Sequence, residues 1–172
     1  MIKCIKYIQC IKWIFLATAL GTVAAPAKTH ASDFFSIAKH EAQSELWLNP
    51  GMLSYHFDRE RSFNSRNFGI GAEYRYSSVA SFTLGSFHNS YHESSNYIGA
   101  YWQPIQLGIF KLGAVAGVFN GYSKTNDGGW FPGLIPALTY EGDLFGFNIL
   151  MVPSIPDRVA GSLSVQFKFK AF

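Results

Sequence analysis

From residue 50 to the C-terminus the chain alternates apolar and polar residues with a period of two, and only extended strands place such a pattern on opposite faces. The last segment is the cleanest: Leu163, Val165, Phe167 and Phe169 share one face, opposed by Ser164, Gln166, Lys168 and Lys170. In Leu53 to Glu60, Leu53, Tyr55 and Phe57 oppose Ser54, His56, Asp58 and Glu60. Phe68, Ile70, Ala72, Tyr74 and Tyr76 likewise oppose Gly69, Gly71, Glu73 and Arg75. Clusters of Gly, Asn, Ser and Pro separate further candidate strands at 79–89, 96–105, 109–122, 134–141, 144–152 and 159–171. Eight strands of about ten residues, one face aromatic and the other polar or glycine, match the smallest outer-membrane barrels, in which closure removes the sheet edges that lipid cannot satisfy.

The soluble alternative is a lipocalin-like barrel or sandwich with the apolar face inward. Composition favours the membrane barrel, since only 15% of residues are charged and 17% are aromatic, against roughly 25% charged in ordinary soluble domains. Tyr and Trp cluster at strand ends and the chain ends in Phe172. Counting back from Phe172, however, alternate positions are Lys170 and Lys168 rather than apolar residues. An extra residue at Ala171 or a bulge would restore the parity.

The N-terminus reads as a secretory signal. Lys3, Lys6 and Lys12 precede an apolar run of 13 residues from Trp13 to Ala25, followed by small residues up to an expected cleavage after Ala31. The run is short for a spanning helix, which needs about 20 residues. Both cysteines, Cys4 and Cys10, lie within residues 1–31, so a mature chain from Ser32 has no thiol for a disulfide, metal site or nucleophile. The four lysines before residue 30 account for the net charge of +3; without them ten basic residues face 11 acidic ones, near −1, which disfavours a nucleic-acid-binding role. Between signal and barrel, residues 32–49 read as an amphipathic helix capped by Asp33, either lying at a membrane surface or packed against the barrel, with Pro50-Gly51 breaking the chain before the first strand.

Several catalytic signatures are absent: the Gly-x-Ser-x-Gly elbow, the phosphate-binding glycine loop and His-Glu-x-x-His. His88 and His92 find no third ligand in the sequence, so no metal and no cofactor is implied. The better constellation joins two strand ends: His56, and Asn89-Ser90 where the third strand enters its loop. A histidine able to accept a serine proton, with an amide or carboxylate orienting the ring, is a minimal acyl-transfer site, although a His beside a Ser also serves as plain hydrogen-bonded scaffolding.

Three segments resemble the PagP family of lipid A palmitoyltransferases: His56 through Asn64 into Asn67-Phe68-Gly69-Ile70-Gly71; Phe87-His88-Asn89-Ser90 followed by Tyr97-Ile98-Gly99-Ala100-Tyr101-Trp102; and Pro132-Gly133-Leu134-Ile135-Pro136 continuing to Val152-Pro153. The resemblance implies a short amphipathic helix, an eight-stranded outer-membrane barrel holding an acyl chain, a phospholipid donor and a lipid A acceptor. It places a catalytic histidine at His56 and an aspartate-serine pair on Asn89-Ser90, so the orienting carboxylate is replaced by an amide; Asp58, Glu60 or Glu93 would be the substitutes. On the strand alternation Tyr97, Gly99 and Tyr101 face inward. With the resemblance, Gly99 and Tyr101 would bound the acyl chain, Tyr101 standing where the family has a glycine and so shortening the pocket, unless its ring simply fills a packed barrel. Pro132, Pro136, Pro153 and Pro156 would mark an interruption of strand pairing that admits lipid, or would be ordinary loop residues. The expectation is a monomeric outer-membrane acyltransferase acting on lipid A, the alternatives being a non-enzymatic structural or adhesive barrel and a lipid A esterase.

Overall fold

In the computed structural model, which describes residues 34–58, 60–155 and 159–172, the alternating segments form strands that close on themselves. The strands are β1 Phe35–Ile37, β2 Ala42–His56, β3 Arg66–Ser77, β4 Ala80–His88, β5 Ser94–Leu107, β6 Phe110–Phe119, β7 Phe131–Glu141, β8 Phe145–Val152 and β9 Ser162–Lys170. Strands β2 to β9 pair antiparallel with their sequence neighbours, and β2 pairs β9, giving a closed eight-stranded barrel. β1 is a short extra strand on the end of β5, from Phe35↔Leu107 to Ile37↔Ile105.

Side chains are distributed inside out relative to a soluble barrel. Ile70 is 74% and Leu134 69% exposed, whereas Glu73 is 2% and Arg75 0% exposed. Phe82, Leu84, Ile98, Trp102, Leu163 and Phe169 also point outward, so the lipocalin-like alternative, whose apolar face is inward, does not hold.

The helix expected over residues 32–49 is not formed where that span is described, because Ala42 to Asn49 belong to β2. Glu45, Leu46 and Trp47 are good helix formers, but the barrel overrides propensity. Trp47 is fully buried inside the barrel, with Leu48 outward and Asn49 inward. Pro50-Gly51 does not end the segment; it is a bulge within β2, where the register shifts between Asn49 and Gly51. A bulge tolerates proline's missing N–H, and Gly51 has φ +98°, with the Asn67 carbonyl where a Cβ would sit. Phe35–Ile37 of the same span form β1, and its first two residues, 32–33, lie outside the described residues with the signal segment, residues 1–31.

The C-terminal parity is resolved by the same device. Ala171 N–H donates to Leu46 O at 2.7 Å, while Leu46 N–H donates to Phe172 O at 2.9 Å, two residues against one. Phe172 thereby points outward, 65% exposed, and Lys168 and Lys170 point inward.

One barrel end carries tight turns: residues 78–79, 108–109 and 142–144 link β3–β4, β5–β6 and β7–β8. The opposite end carries the longer loops 57–65, 89–93, 120–130 and 153–161. The turn-end half of the interior is filled by charge. Glu73 accepts from Lys168 Nζ at 2.8 Å and Arg75 Nη2 at 3.1 Å; Glu141 accepts from Lys168 Nζ at 2.6 Å, Arg75 Nε at 2.8 Å and Lys111 Nζ at 2.7 Å. Asn148 links this network to Gln166 and to the hydroxyl of Tyr101, so the lower barrel is a packed polar plug.

Candidate active site at the long-loop end

Above the plug the interior opens into a cavity of about 330 Å³, within the size range of small-ligand pockets. Phe87, Phe119, Phe131, Ile135, Leu150 and Val152 give it an apolar wall, and Ser54, Asn67, Ser90, Ser162 and Ser164 a polar strip. Directly beneath lies a void of about 30 Å³ lined by Tyr97, Gly99 and Tyr101 and sharing Met52, Phe87, Phe119, Ile135 and Leu150 with the cavity above. The Tyr101 ring is buried, 3% exposed, at the lower end of this void, and the half of the barrel above it is open.

The wall is incomplete on one side. β6 and β7 pair along their whole length, from Phe110↔Tyr140 to Phe119↔Phe131. β7 and β8 pair only from Ala137↔Leu150 to Glu141↔Gly146, although β8 continues to Val152. Among the described residues, 131–136 therefore have no ladder partner on the β8 side, and Pro132 and Pro136 have no N–H to offer one. The cavity is lined by Phe131, Pro132, Leu134, Val152 and Pro153 along this break. Pro156 lies outside the described residues.

His56 ends β2 on its inward face, paired with Ser162, and is 7% exposed. Ser90 follows β4, lines the cavity mouth and places Oγ 2.7 Å from His56 Nε2. The serine is held from behind: Asn64 N–H donates to Ser90 O at 2.9 Å, and Asn64 Nδ2 to Asn89 O at 3.2 Å. The imidazole stacks on Phe63, ring centroids 4.7 Å apart, and the aromatic contacts continue through Tyr91, Tyr122 and Phe131.

Asn89 does not orient His56. Its Nδ2 donates to Ser95 Oγ at 2.9 Å and Gly121 O at 2.7 Å, and its Oδ1 accepts from the N–H groups of Tyr91 at 2.8 Å and Glu93 at 3.1 Å. All of its hydrogen-bonding capacity goes into shaping the loop that presents Ser90, an Asx-type role. Two of the three carboxylate substitutes are engaged elsewhere. Asp58 pairs with Arg61 at 3.4 Å, and Glu93 accepts from Ser123 N–H at 2.9 Å, a bond that holds its carboxyl below the usual range. His56 Nδ1 is buried with no hydrogen-bond partner among the described residues. Among the described residues the site is therefore a His–Ser pair without a fixed third member, and none of them bonds Nδ1 to set the imidazole tautomer. Among the described residues no three His, Cys, Asp or Glu side chains come together as a metal site.

Phe63, Tyr91, Tyr122 and Asn67 belong to the site but not to the expectations from sequence. Isolated aromatics in loops, and an asparagine at the start of a strand, carry no spacing signal; only closure of the barrel brings these residues to one mouth. The fold and site define an eight-stranded barrel with a histidine hydrogen-bonded to a serine hydroxyl at the mouth of a largely apolar cavity. No protein-family model matches the chain, and no curated protein matches it significantly.

Proposed function

We propose that the protein is an outer-membrane acyltransferase that moves a fatty acyl chain from a phospholipid to the lipid A part of lipopolysaccharide. The observation that carries this reading is the 2.7 Å His56 Nε2–Ser90 Oγ contact at the mouth of a cavity that reaches the unpaired edge between β7 and β8. The apolar outer face suits a lipid surround, and short turns at the terminal end with longer loops opposite suit an outer-membrane barrel with its site toward the outer leaflet. Residues 1–31 fit the export signal such a destination requires.

In this reading a donor acyl chain passes the β7–β8 break into the cavity, and its ester carbonyl stops beside Ser90. The acceptor hydroxyl attacks the acyl carbon and gives its proton to His56 Nε2. As the donor ester C–O bond breaks, that proton passes to the departing lysophospholipid oxygen. Ser90 serves either as a first nucleophile, carrying the acyl group in between, or as the hydroxyl that positions the ester. No metal or soluble cofactor enters the scheme, and a single barrel contains all its parts. Since removing the orienting carboxylate of a serine triad costs about 10⁴-fold in kcat, a slow enzyme is expected. Gly99 and Tyr101 bound the deep end of the acyl site, and Tyr101 sets a shorter chain than a glycine there would admit.

The test is the purified barrel in detergent with a diacyl phospholipid, with and without lipid A. Acylated lipid A and lysophospholipid in equal amounts, lost in His56→Ala, are expected. Free fatty acid with lipid A unchanged would move the assignment to the esterase, and no turnover by a folded barrel to the non-enzymatic relative.

A further inference from the structure

We propose that the acyl chain taken into this barrel carries a hydroxyl group on one of its first carbons, and that Asn67 reads it. The inference rests on the acyl-transfer reading above and names its substrate class more narrowly. Asn67 opens β3, is 1% exposed and lines the cavity. Its Nδ2 donates to His88 O at 2.9 Å, which fixes the amide, because a flipped group would set its oxygen against that carbonyl. The other end, Oδ1, is a buried acceptor with no partner among the described residues. The other polar groups of the strip are not in the same position: Ser54 and Ser164 hydroxyls bond each other at 2.7 Å, Ser90 meets His56, and the Ser162 hydroxyl is not among the buried polar atoms without a partner.

Asn67 Oδ1 is already shut off from solvent with nothing to accept from, a plain hydrocarbon would leave it so, and buried acceptors left this way are disfavoured. A hydroxyl on the chain supplies the missing donor. Its place along the chain follows from the end of β4: the His88 carbonyl held by Asn67 is the last of the strand, and Ser90 follows two residues later in the turn. The hydroxyl thus falls close to the reacting carbonyl, as in a 3-hydroxyacyl ester, and the remainder of the chain meets the apolar wall.

The test uses the full barrel in detergent micelles with two donors, di-tetradecanoyl phosphatidylcholine and its di-3-hydroxytetradecanoyl counterpart, and lipid A as acceptor. The 3-hydroxy ester should be preferred roughly tenfold in kcat/KM, the worth of one hydrogen bond to a buried acceptor. The preference should disappear in Asn67→Leu, checked for folding by heat-modifiable electrophoretic migration. Equal rates with the two donors, or a preference that survives Asn67→Leu, would overturn the proposal. A binding measurement on the unaltered protein, competing 3-hydroxytetradecanoic against tetradecanoic acid, reads the same preference without a variant or turnover. Preferential binding of the hydroxy acid with no transfer from either ester would overturn the acyltransferase and leave Asn67's role standing; equal binding of the two acids would overturn Asn67's role.

Discussion

Substituting Glu73→Gln tests whether the charged plug holds the barrel together. Glu73 is 2% exposed and accepts from Lys168 Nζ at 2.8 Å, Arg75 Nη2 at 3.1 Å, Ser81 Oγ at 2.7 Å and Asn148 Nδ2 at 3.2 Å. Glutamine keeps the volume and removes the charge, leaving Arg75, Lys168 and Lys111 with Glu141 as their nearby carboxylate. Removing one partner of a buried ion pair costs about 3–5 kcal/mol, because an uncompensated charge stays behind. The internal control is Glu45→Gln. Glu45 pairs with Lys170 at 2.9 Å, but these side chains are 25% and 22% exposed, so the loss is about 0–1 kcal/mol. With urea slopes of about 1–3 kcal/mol/M, the Glu73 variant should unfold roughly 2 M earlier and the Glu45 variant by a few tenths. Tryptophan fluorescence in detergent micelles follows the event, since Trp47 is fully buried with the Lys168 and Lys170 ammonium groups 5.1 and 5.0 Å from its ring. Equal midpoints for the two variants would refute the reasoning and show that the network is solvated or replaceable.

Three further outcomes follow from the site. Tyr101→Gly removes the ring that closes the cavity floor, so the longest acyl chain transferred should lengthen, while stability falls by about 3–5 kcal/mol as for other large-to-small core changes; mass spectrometry of the product and urea unfolding read the two effects, and an unchanged chain length would place the floor elsewhere. Asn89→Asp, which restores the motif's carboxylate, should lower activity, because it removes the donors to Ser95 and the Gly121 carbonyl and sets a charge against the latter; a tenfold gain in rate would show that residue 89 orients His56 after all. Pro136 and Met151 stand one step past the last β7–β8 pair, so a Pro136→Cys, Met151→Cys disulfide should close the break and stop turnover until a reductant is added; full activity of the oxidised form would exclude lipid access there.

Strand existence and facing were legible because a period of two is local: Phe68 to Tyr76 and Leu163 to Lys170 show their outer and lumen faces residue by residue. Lys168 and Lys170 looked misplaced only because the two-against-one bonding at Leu46 is a property of chain pairing, invisible along one strand. The start of β2 was misread for a related reason. Its Glu, Leu and Trp suit a helix locally, and the partners that extend it, Glu73 and Lys170 beside Trp47, are remote in sequence. At the site, strand-end positions made His56 and Ser90 candidates and the family resemblance joined them, because β2 and β4 are separated by β3 and only the closed barrel sets their distance. Asn89's role was not, because its partners Ser95 and Gly121 come from different strand-and-loop segments. The cavity is a property of the closed barrel: it depends on which inward side chains are small or apolar above Tyr97 and which are charged below.

The central claim is that His56 drives transfer of an acyl group to lipid A. Mass spectrometry of lipid A from cells making the full chain, beside cells making His56→Ala at equal level, tests it most directly. Lipid A heavier by one acyl group in the first and unmodified in the second is the predicted result. An identical spectrum from both, with the barrel folded in the outer membrane, would contradict it.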